Sequence, residues 1–395
     1  MLPARNAPNL ALLDAYLSSL TPAERVQYMK MARNYADSVM FGRKCDPHML
    51  SLPHPQRIAA FGHLDAEANL FRRFAPAVWE AADDPHATRF DMVRILVRQY
   101  PLLSELVSDG HMEVLQDIAL RLMVKAGRTR QLQTTDALEQ LLRHSDFGSD
   151  VPGSWFRTPY PGVYIEFGSM RDFPVSMRHP DSGIHAVEGC YLLEGGVRLA
   201  DRGPDSEPVR GYDVIICGSA AGKKGVLDDV YVHMAIAIED EDEPITSLVK
   251  RTIEQFRKRT GGVPNDEAFL PVIEHVAKVL VYLNTAEARR LVVTEGTEAS
   301  RRIAAIKSPA KIEKAKRQAA HLYDRIVVGP TVLPAPGGDE TGGGEMRTHW
   351  RRGHIRAQAY GAQHLLRRPV WIQPMLVRAD KLGDGAAPAQ AYLVK

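Results

Sequence analysis

The spacing of apolar residues changes at Gly148, and this change constrains the fold more than any other feature of the sequence. Before Gly148, apolar side chains recur at steps of three and four residues, which is the spacing of an α-helix with one buried face. After Gly148, short segments bounded by Pro and Gly alternate apolar with polar residues, as half-buried strands do. The alternation is clearest at 162–167 and 229–238. The sequence therefore predicts helices up to about residue 145 and strands after it.

Helical spacing returns at 245–260 and 266–283, after the last predicted strand. The segment Phe269–Leu283 is apolar around much of its circumference, which predicts a central helix buried against the sheet. Strands followed by helices, instead of regularly alternating strands and helices, favour the α+β class. We therefore predict an α+β protein with an N-terminal helical domain, a central antiparallel sheet packed on helices, and a C-terminal basic β-hairpin.

A stretch rich in Gly and Pro separates the end of the chain from the rest and predicts a flexible linker. Beyond this linker lie two strand-like segments joined through Gly361, followed by a tail without a clear pattern. The predicted divisions are a helical domain at 1–147, an α+β core domain at 148–333, the linker at 334–346, a basic aromatic hairpin packed on the core at 347–380, and a loose tail at 381–395.

The composition is that of a globular protein, with 45% hydrophobic and 25% charged residues. No apolar run reaches the roughly 18 residues that a membrane span needs, and the N-terminus lacks the apolar region of a secretory signal. We therefore expect a cytoplasmic protein that makes no membrane contact. Three cysteines are too few and too scattered for a disulfide framework or a four-thiolate zinc site. Cys190 and Cys217 are predicted to be buried free thiols, and no metal or cofactor is predicted.

Charge is unevenly distributed along the chain, which is a feature that concerns partners more than fold. Residues 228–243 contain seven acidic residues and no Lys or Arg. Residues 347–378 contain seven arginines and no acidic residue. We interpret the run at 239–243 as a solvated turn before the next helix, with a basic partner as the alternative.

The C-terminal arginines occur together with aromatic residues. Arginines attract phosphates or acidic peptides, and aromatic rings can stack on bases or anchor a peptide. An ordinary edge hairpin remains an alternative, in which arginines prevent aggregation and tryptophans fill the core. The predicted residues for binding nucleic acid or another partner are Trp350, Arg351, Arg352, His354, Arg356, Tyr360, Arg367, Arg368 and Trp371.

Motifs of catalysis are missing from the sequence. No nucleophile elbow, metalloprotease helix or dinucleotide-binding fingerprint is found, and the glycine-rich segment at 217–225 has the wrong spacing for a phosphate-binding loop. His349 and His354 suggest an acid–base pair for RNA cleavage, but a spacing of five places them on opposite faces of a regular strand. They would need a bulge, or His364 from the opposing strand, to act together. We therefore expect a binding protein, with a histidine-dependent ribonuclease as a rival hypothesis.

The same C-terminal residues resemble the type V-A anti-CRISPR family, whose members suppress the type V CRISPR nuclease. The resemblance lies in His349-Trp350-Arg351-Arg352-Gly353-His354, in Tyr360-Gly361 and in the segment 367–374. The strand at 162–166 and the apolar helix at 269–283 support it more weakly. The sequence departs from the family at Ile355, where an aromatic residue is usual.

This resemblance implies a function that composition and spacing do not reveal. Similar proteins lower production of the nuclease by recognising its nascent N-terminal peptide during translation, which promotes loss of its mRNA. The implied partners are a nascent peptide or protein target, such as a CRISPR nuclease, together with the ribosome and mRNA. A sequence-tolerant RNA- or DNA-binding protein of a phage or plasmid remains the alternative.

Overall fold

The structure is a computed structural model that describes residues 14–26, 29, 52–60, 63–108, 111–167, 175–179, 183–197, 207–220, 230–261, 265–319, 321–333 and 349–377. The predicted linker at 334–346, the predicted tail at 381–395 and Cys45 lie outside these residues. In the described part, no helix combines the length and apolar character needed to cross a membrane.

The described residues begin with two short helical stretches at 14–19 and 22–26. Eleven α-helices and thirteen strands follow them in this described part of the chain. The helices are α1 His54–Ala60, α2 His63–Phe74, α3 Pro76–Asp83, α4 Arg89–Gln99, α5 Pro101–Ser108, α6 Met112–Lys125, α7 Asp136–Arg143, α8 Ile245–Thr260, α9 Phe269–Leu283, α10 Glu295–Ala304 and α11 Pro309–Ala319. The strands are β1 Thr129–Thr134, β2 Ser145–Phe147, β3 Gly162–Glu166, β4 Ser176–His179, β5 Gly183–Val197, β6 Val209–Ala220, β7 Val230–Ala237, β8 Arg290–Val293, β9 Arg325–Val328, β10 His349–Arg351, β11 Gly353–Tyr360, β12 Leu366–Ile372 and β13 Met375–Val377.

The α+β class is confirmed, and the order of helices before strands is correct in outline. The predicted helical region is interrupted at two prolines, because proline cannot donate the backbone hydrogen bond that a helix interior requires. One break separates α2 from α3 at Ala75, before Pro76, and the other separates α4 from α5 at Tyr100, before Pro101.

The main sheet is mixed, so the prediction of an antiparallel sheet is wrong in one part. Its strands run in the order β7-β6-β5-β3-β1-β9-β8, with β4 paired to β5. Strand β1 pairs in parallel with both β3 and β9, and the other pairs are antiparallel. The sequence predicts this segment as part of the helical domain, because Leu132 is the only apolar residue of β1. Its polar side chains find partners within the structure, since Gln131 and Gln133 both donate hydrogen bonds to Glu166.

Both faces of the main sheet are covered. Val163 and Ile165 of β3 lie in the core formed with α7, α8 and α9, and α9 is the central buried helix that was predicted. Tyr164, between them, lies in a second core formed with α2–α6. Alternate residues of one strand point to opposite faces, so the sheet is the middle of three layers.

The two buried cysteines fit this arrangement. Cys190 of β5 belongs to the core with α8 and α9, whereas Cys217 of β6 belongs to the core with α2–α6. Both thiols are free and buried, as predicted. Burial raises the pKa of the Cys190 thiol well above its usual range, so that this side chain stays neutral.

The predicted C-terminal hairpin is confirmed as the antiparallel pair β11 and β12. The chain turns after Gly361, whose φ of 78° favours glycine. Strand β11 also pairs in parallel with β2, which joins the hairpin to the end of α7. The short strand β10 pairs with β13 in a separate two-stranded sheet.

Two buried ion pairs connect the N-terminal helices to the sheet. The guanidinium group of Arg57 in α1 is fully buried and donates hydrogen bonds to both carboxylate oxygens of Glu188, which also accepts one from Ser219. Arg89, the first residue of α4, is also fully buried and donates to both carboxylate oxygens of Asp213 in β6. A bidentate pair fixes direction as well as distance, so these contacts set the position of the helices on the sheet.

We expect Asp213→Ala to lower the free energy of unfolding by about 3–5 kcal/mol, because it leaves the charge of Arg89 buried without its partner. The double variant Arg89→Met/Asp213→Leu removes both charges and should regain most of that loss. Urea denaturation followed by circular dichroism measures both values. Equal losses in the single and double variants would contradict this account of the ion pair.

Candidate partner-binding surfaces

The two predicted tryptophans lie in the core and not on a binding surface. Trp350 is 6% exposed and stacks on His144, with ring centroids 4.7 Å apart. Trp371 is 5% exposed, donates a hydrogen bond from Nε1 to Ser145 Oγ at 2.9 Å, and meets the ring of Tyr282 edge-on. Their prediction as binding residues is therefore corrected: both anchor the C-terminal strands to the protein.

Several of the remaining predicted binding residues lie on the outer face of the hairpin. Ile355 and Trp371 are directly opposite each other and point into the core. Side chains one position along each strand therefore point outward. This outer face carries the exposed residues His354, Arg356, Tyr360 and Arg368. We name these four residues the outer hairpin face.

Arg368 and Tyr360 contact each other on this face. The Arg368 guanidinium carbon lies 5.4 Å from the centroid of the Tyr360 ring, and the Tyr360 side chain is 39% exposed. Such a cation–π contact orients an arginine while its hydrogen-bond donors stay available for phosphate or carboxylate. The pair therefore presents a positioned cation to solvent.

The other predicted arginines lie elsewhere. Arg367 is exposed, but it lies on the same face of β12 as Trp371. Its pairing partner across the hairpin is Ala359. Arg351 is exposed in β10, and Arg352, in the connection to β11, makes an ion pair with Asp146. The predicted binding residues therefore do not form one continuous patch. Four of them share the outer hairpin face, and the other three arginines lie on neighbouring surfaces.

The histidines of the ribonuclease hypothesis are not brought together. His354 lies at the end of the hairpin nearest β2, and His364 lies in the turn at the other end. Tyr360 is six residue steps along the strand from His354, a distance of about 20 Å. His349 belongs to the separate pair of β10 and β13. In the described residues, no group of three or more His, Cys, Asp or Glu side chains is arranged to hold a metal ion.

The acidic run at 239–243 forms the turn before α8, as predicted, and three of its five carboxylates pair with basic residues of this chain. Glu239 and Glu243 both accept hydrogen bonds from Arg251. Glu241 accepts two from Arg210, at 2.7 and 2.8 Å. Burial opposes the charge of Arg210, but the bonds to Glu241 raise its pKa, so the guanidinium group stays ionised.

A large cavity opens where the helical layer meets one end of the sheet, and no sequence pattern predicts it. Its volume is about 1260 Å³. Its walls come from the segments 85–91, 193–197, 208–210 and 235–239, and from α8. These segments are far apart in the chain and share no motif, so only the tertiary structure reveals the site. We call it the interlayer cavity.

The interlayer cavity has an apolar interior and a charged rim. Met123, Leu193 and Ala235 are among the apolar lining residues, and Phe90 stands at the rim with 53% of its surface exposed. Charged lining residues have both signs, and several are already paired: Arg89 with Asp213, Arg94 with Asp91, Arg210 with Glu241 and Glu239 with Arg251. Lys258 lines the cavity without an acidic partner within 4.0 Å among the described residues.

The burial of Trp371 and the exposure of its neighbour predict effects of very different size on stability. We expect Trp371→Ala to lower the free energy of unfolding by about 3–5 kcal/mol, because it opens a cavity beside Tyr282 and breaks the bond to Ser145. Ile372 is 37% exposed on the other face, so Ile372→Ala should cost about 1 kcal/mol or less. Urea denaturation compares the two, and similar losses would contradict the assignment of Trp371 to the core.

Comparisons with known proteins agree with the resemblance in the C-terminal residues. The model of the AcrVA2-like family, described as anti-CRISPR type V subtype A2, matches residues 132–379. A solved structure titled "Crystal structure of AcrVA2" is 13% identical, with 83% of this chain and 100% of that chain covered and a TM-score of 0.45. No curated protein matches. Because the family model covers more than half of the sequence, the chain belongs to the type V subtype A2 anti-CRISPR family.

Proposed function

We propose that this protein lowers the production of a type V CRISPR nuclease by binding the nuclease's nascent N-terminal peptide during translation. In this proposal the interlayer cavity receives the peptide, and the outer hairpin face contacts ribosomal or messenger RNA. Binding during translation promotes loss of the mRNA, and the protein acts by binding and not by catalysis. Such a function places the protein in the cytoplasm, where translation occurs. Family membership and the interlayer cavity support the proposal.

The cavity is the observation on which the proposal depends. A volume of about 1260 Å³ exceeds the roughly 300–1,000 Å³ of sites for small molecules. A flexible, extended ligand such as a peptide suits a larger space. Peptides carry apolar and charged side chains in alternation, and they therefore suit an apolar interior with charges of both signs at the rim.

Two glycines widen this cavity. Gly195 and Gly196 of β5 line it without side chains. A side-chain carbon at Gly195 would lie 3.0 Å from Thr88, on the opposite wall. The cavity therefore remains open between the strand and the start of α4 because glycine occupies this position.

The exposed ring of Phe90 offers a specific anchor at the cavity rim. Aromatic residues at the centre of an interface contribute much of its binding energy, since they bury a large surface with little loss of side-chain freedom. Phe90 is 53% exposed and its ring lies near the guanidinium group of Arg89, which is held by Asp213. This contact with Arg89 favours one orientation of the ring at the rim.

The outer hairpin face and the interlayer cavity share no residue. Occupation of one surface therefore need not exclude occupation of the other. This separation suits a protein that must hold a nascent peptide and its ribosome or message together. A protein that binds RNA without reading a peptide is the rival hypothesis, and the following experiment distinguishes the two.

We expect the tagged protein to capture nuclease mRNA from a lysate of bacteria that express the nuclease, and to lose that mRNA after puromycin releases nascent chains. Phe90→Ala should lower the capture at least tenfold, because it removes the exposed ring from the cavity rim. Sequencing of the co-purified RNA measures the capture.

Leu102→Ala is the matched control, because Leu102 is 54% exposed, close to the 53% of Phe90, and lies outside the cavity. It should capture mRNA like the unsubstituted protein. Capture that persists after puromycin would favour direct RNA binding and contradict peptide recognition. Equal capture by the Phe90 and Leu102 variants would remove the cavity from the proposal.

A further inference from the structure

A pair of basic helices stands at the β8 edge of the main sheet, apart from both surfaces described above. We name residues 295–319, which comprise α10, α11 and their connection, the basic arm. Helix α11 contains no buried residue, and Ala299 is the only buried residue of α10. The arm therefore contributes little to the core, and packing places few constraints on its composition.

The charge of the arm is strongly one-sided. The arm contains seven basic and three acidic side chains. Glu295 pairs with Arg325 outside the arm. The other two acidic side chains each pair with one cation of the arm: Glu298 with Arg302 at 3.5 Å, and Glu313 with Lys316 at 3.3 Å. The remaining five cations have no acidic partner within 4.0 Å in the described part of the chain; they are Arg301, Lys307, Lys311, Lys314 and Arg317.

Three of these unpaired cations form a row on α11. Ile312 and Ala315 are half-buried and mark the inner side of the helix, toward α10. Lys311, Lys314 and Arg317 are exposed and follow one another at steps of three residues on the outer side. Each step advances about 4.5 Å along the helix axis. The row therefore presents regularly spaced positive charge to solvent.

The chemistry of this row favours a phosphate backbone over a folded protein. Interfaces between proteins contain aromatic or large apolar anchors, and lysine is depleted from them. The outer side of α11 also carries Ala310, Gln318 and Glu313, whose carboxylate pairs with Lys316, and it has no aromatic or large apolar residue. Phosphates need only cations within reach, and long flexible side chains supply them without a fixed geometry.

We propose that the basic arm is an RNA-binding surface that contacts the phosphates of single-stranded RNA without reading its sequence. Each contact displaces a condensed counterion, and this release is the source of the binding energy. The surface is distinct from the outer hairpin face. The proposal does not depend on recognition of a nascent peptide, and it applies equally to ribosomal and messenger RNA.

The test compares two triple variants of the purified full-length protein by fluorescence anisotropy with a labelled single-stranded RNA of mixed sequence. The arm variant is Lys311→Ala/Lys314→Ala/Arg317→Ala, in which alanine preserves the helix. The control variant is Arg98→Ala/Arg130→Ala/Lys250→Ala. It removes the same charge from exposed positions outside the arm, the hairpin and the cavity.

We expect the arm variant to bind at least tenfold more weakly than the unsubstituted protein, and the control variant to stay within twofold. The slope of log affinity against log salt concentration should become shallower by about 2, since each lost phosphate contact contributes about 0.7. Circular dichroism spectra should be the same for all three proteins.

An arm variant with unchanged affinity would overturn the proposal, as would an unsubstituted protein that does not bind the RNA. Equal losses in the two variants would also overturn it, because net charge alone would then explain binding. None of these outcomes decides the puromycin experiment, which measures capture of a specific message through its nascent chain.

Discussion

The main sheet must be covered on both faces, and the rest of the structure depends on this constraint. Its central strands carry large apolar side chains in both directions, such as Tyr164 toward one face and Ile165 toward the other. A parallel pairing at the centre of a sheet is typical of strands buried on both sides. The N-terminal helices therefore form one outer layer, and α7, α8 and α9 form the other. The C-terminal hairpin completes the second layer by inserting Trp371 beside Tyr282.

The junction between the helical layer and the sheet contains two buried ion pairs in addition to its apolar contacts. Arg57 and Arg89 are fully buried, and each is held by a carboxylate of the sheet. Apolar packing alone would permit sliding, whereas a bidentate ion pair allows one position. Arg89 and Asp213 also line the interlayer cavity, so the contact that positions the layer also shapes the proposed peptide site.

In the elements near the C-terminal end of the chain, packed residues lie on one side and charged residues lie on the other. In β11 and β12 the inward residues Ile355 and Trp371 anchor the hairpin, and the outward positions carry Arg356 and Arg368. In α11 a half-buried side faces α10, and the outer side carries unpaired cations. These outer charges are not required for folding, since none of them has a buried partner. They account for the excess of basic residues near the C-terminal end of the sequence.

The α+β class, the buried helix α9, the hairpin turning after Gly361 and the acidic turn before α8 were determined by the sequence alone. Each depends on local periodicity or turn chemistry, which neighbouring residues already specify. The strand β1 was missed because its glutamines are satisfied by Glu166, more than thirty residues away. Sequence grouped Trp350 and Trp371 with the arginines around them, and only packing against His144 and Ser145 assigned both to the core. The interlayer cavity likewise required the tertiary structure, because it exists only where distant segments meet without filling the space between them.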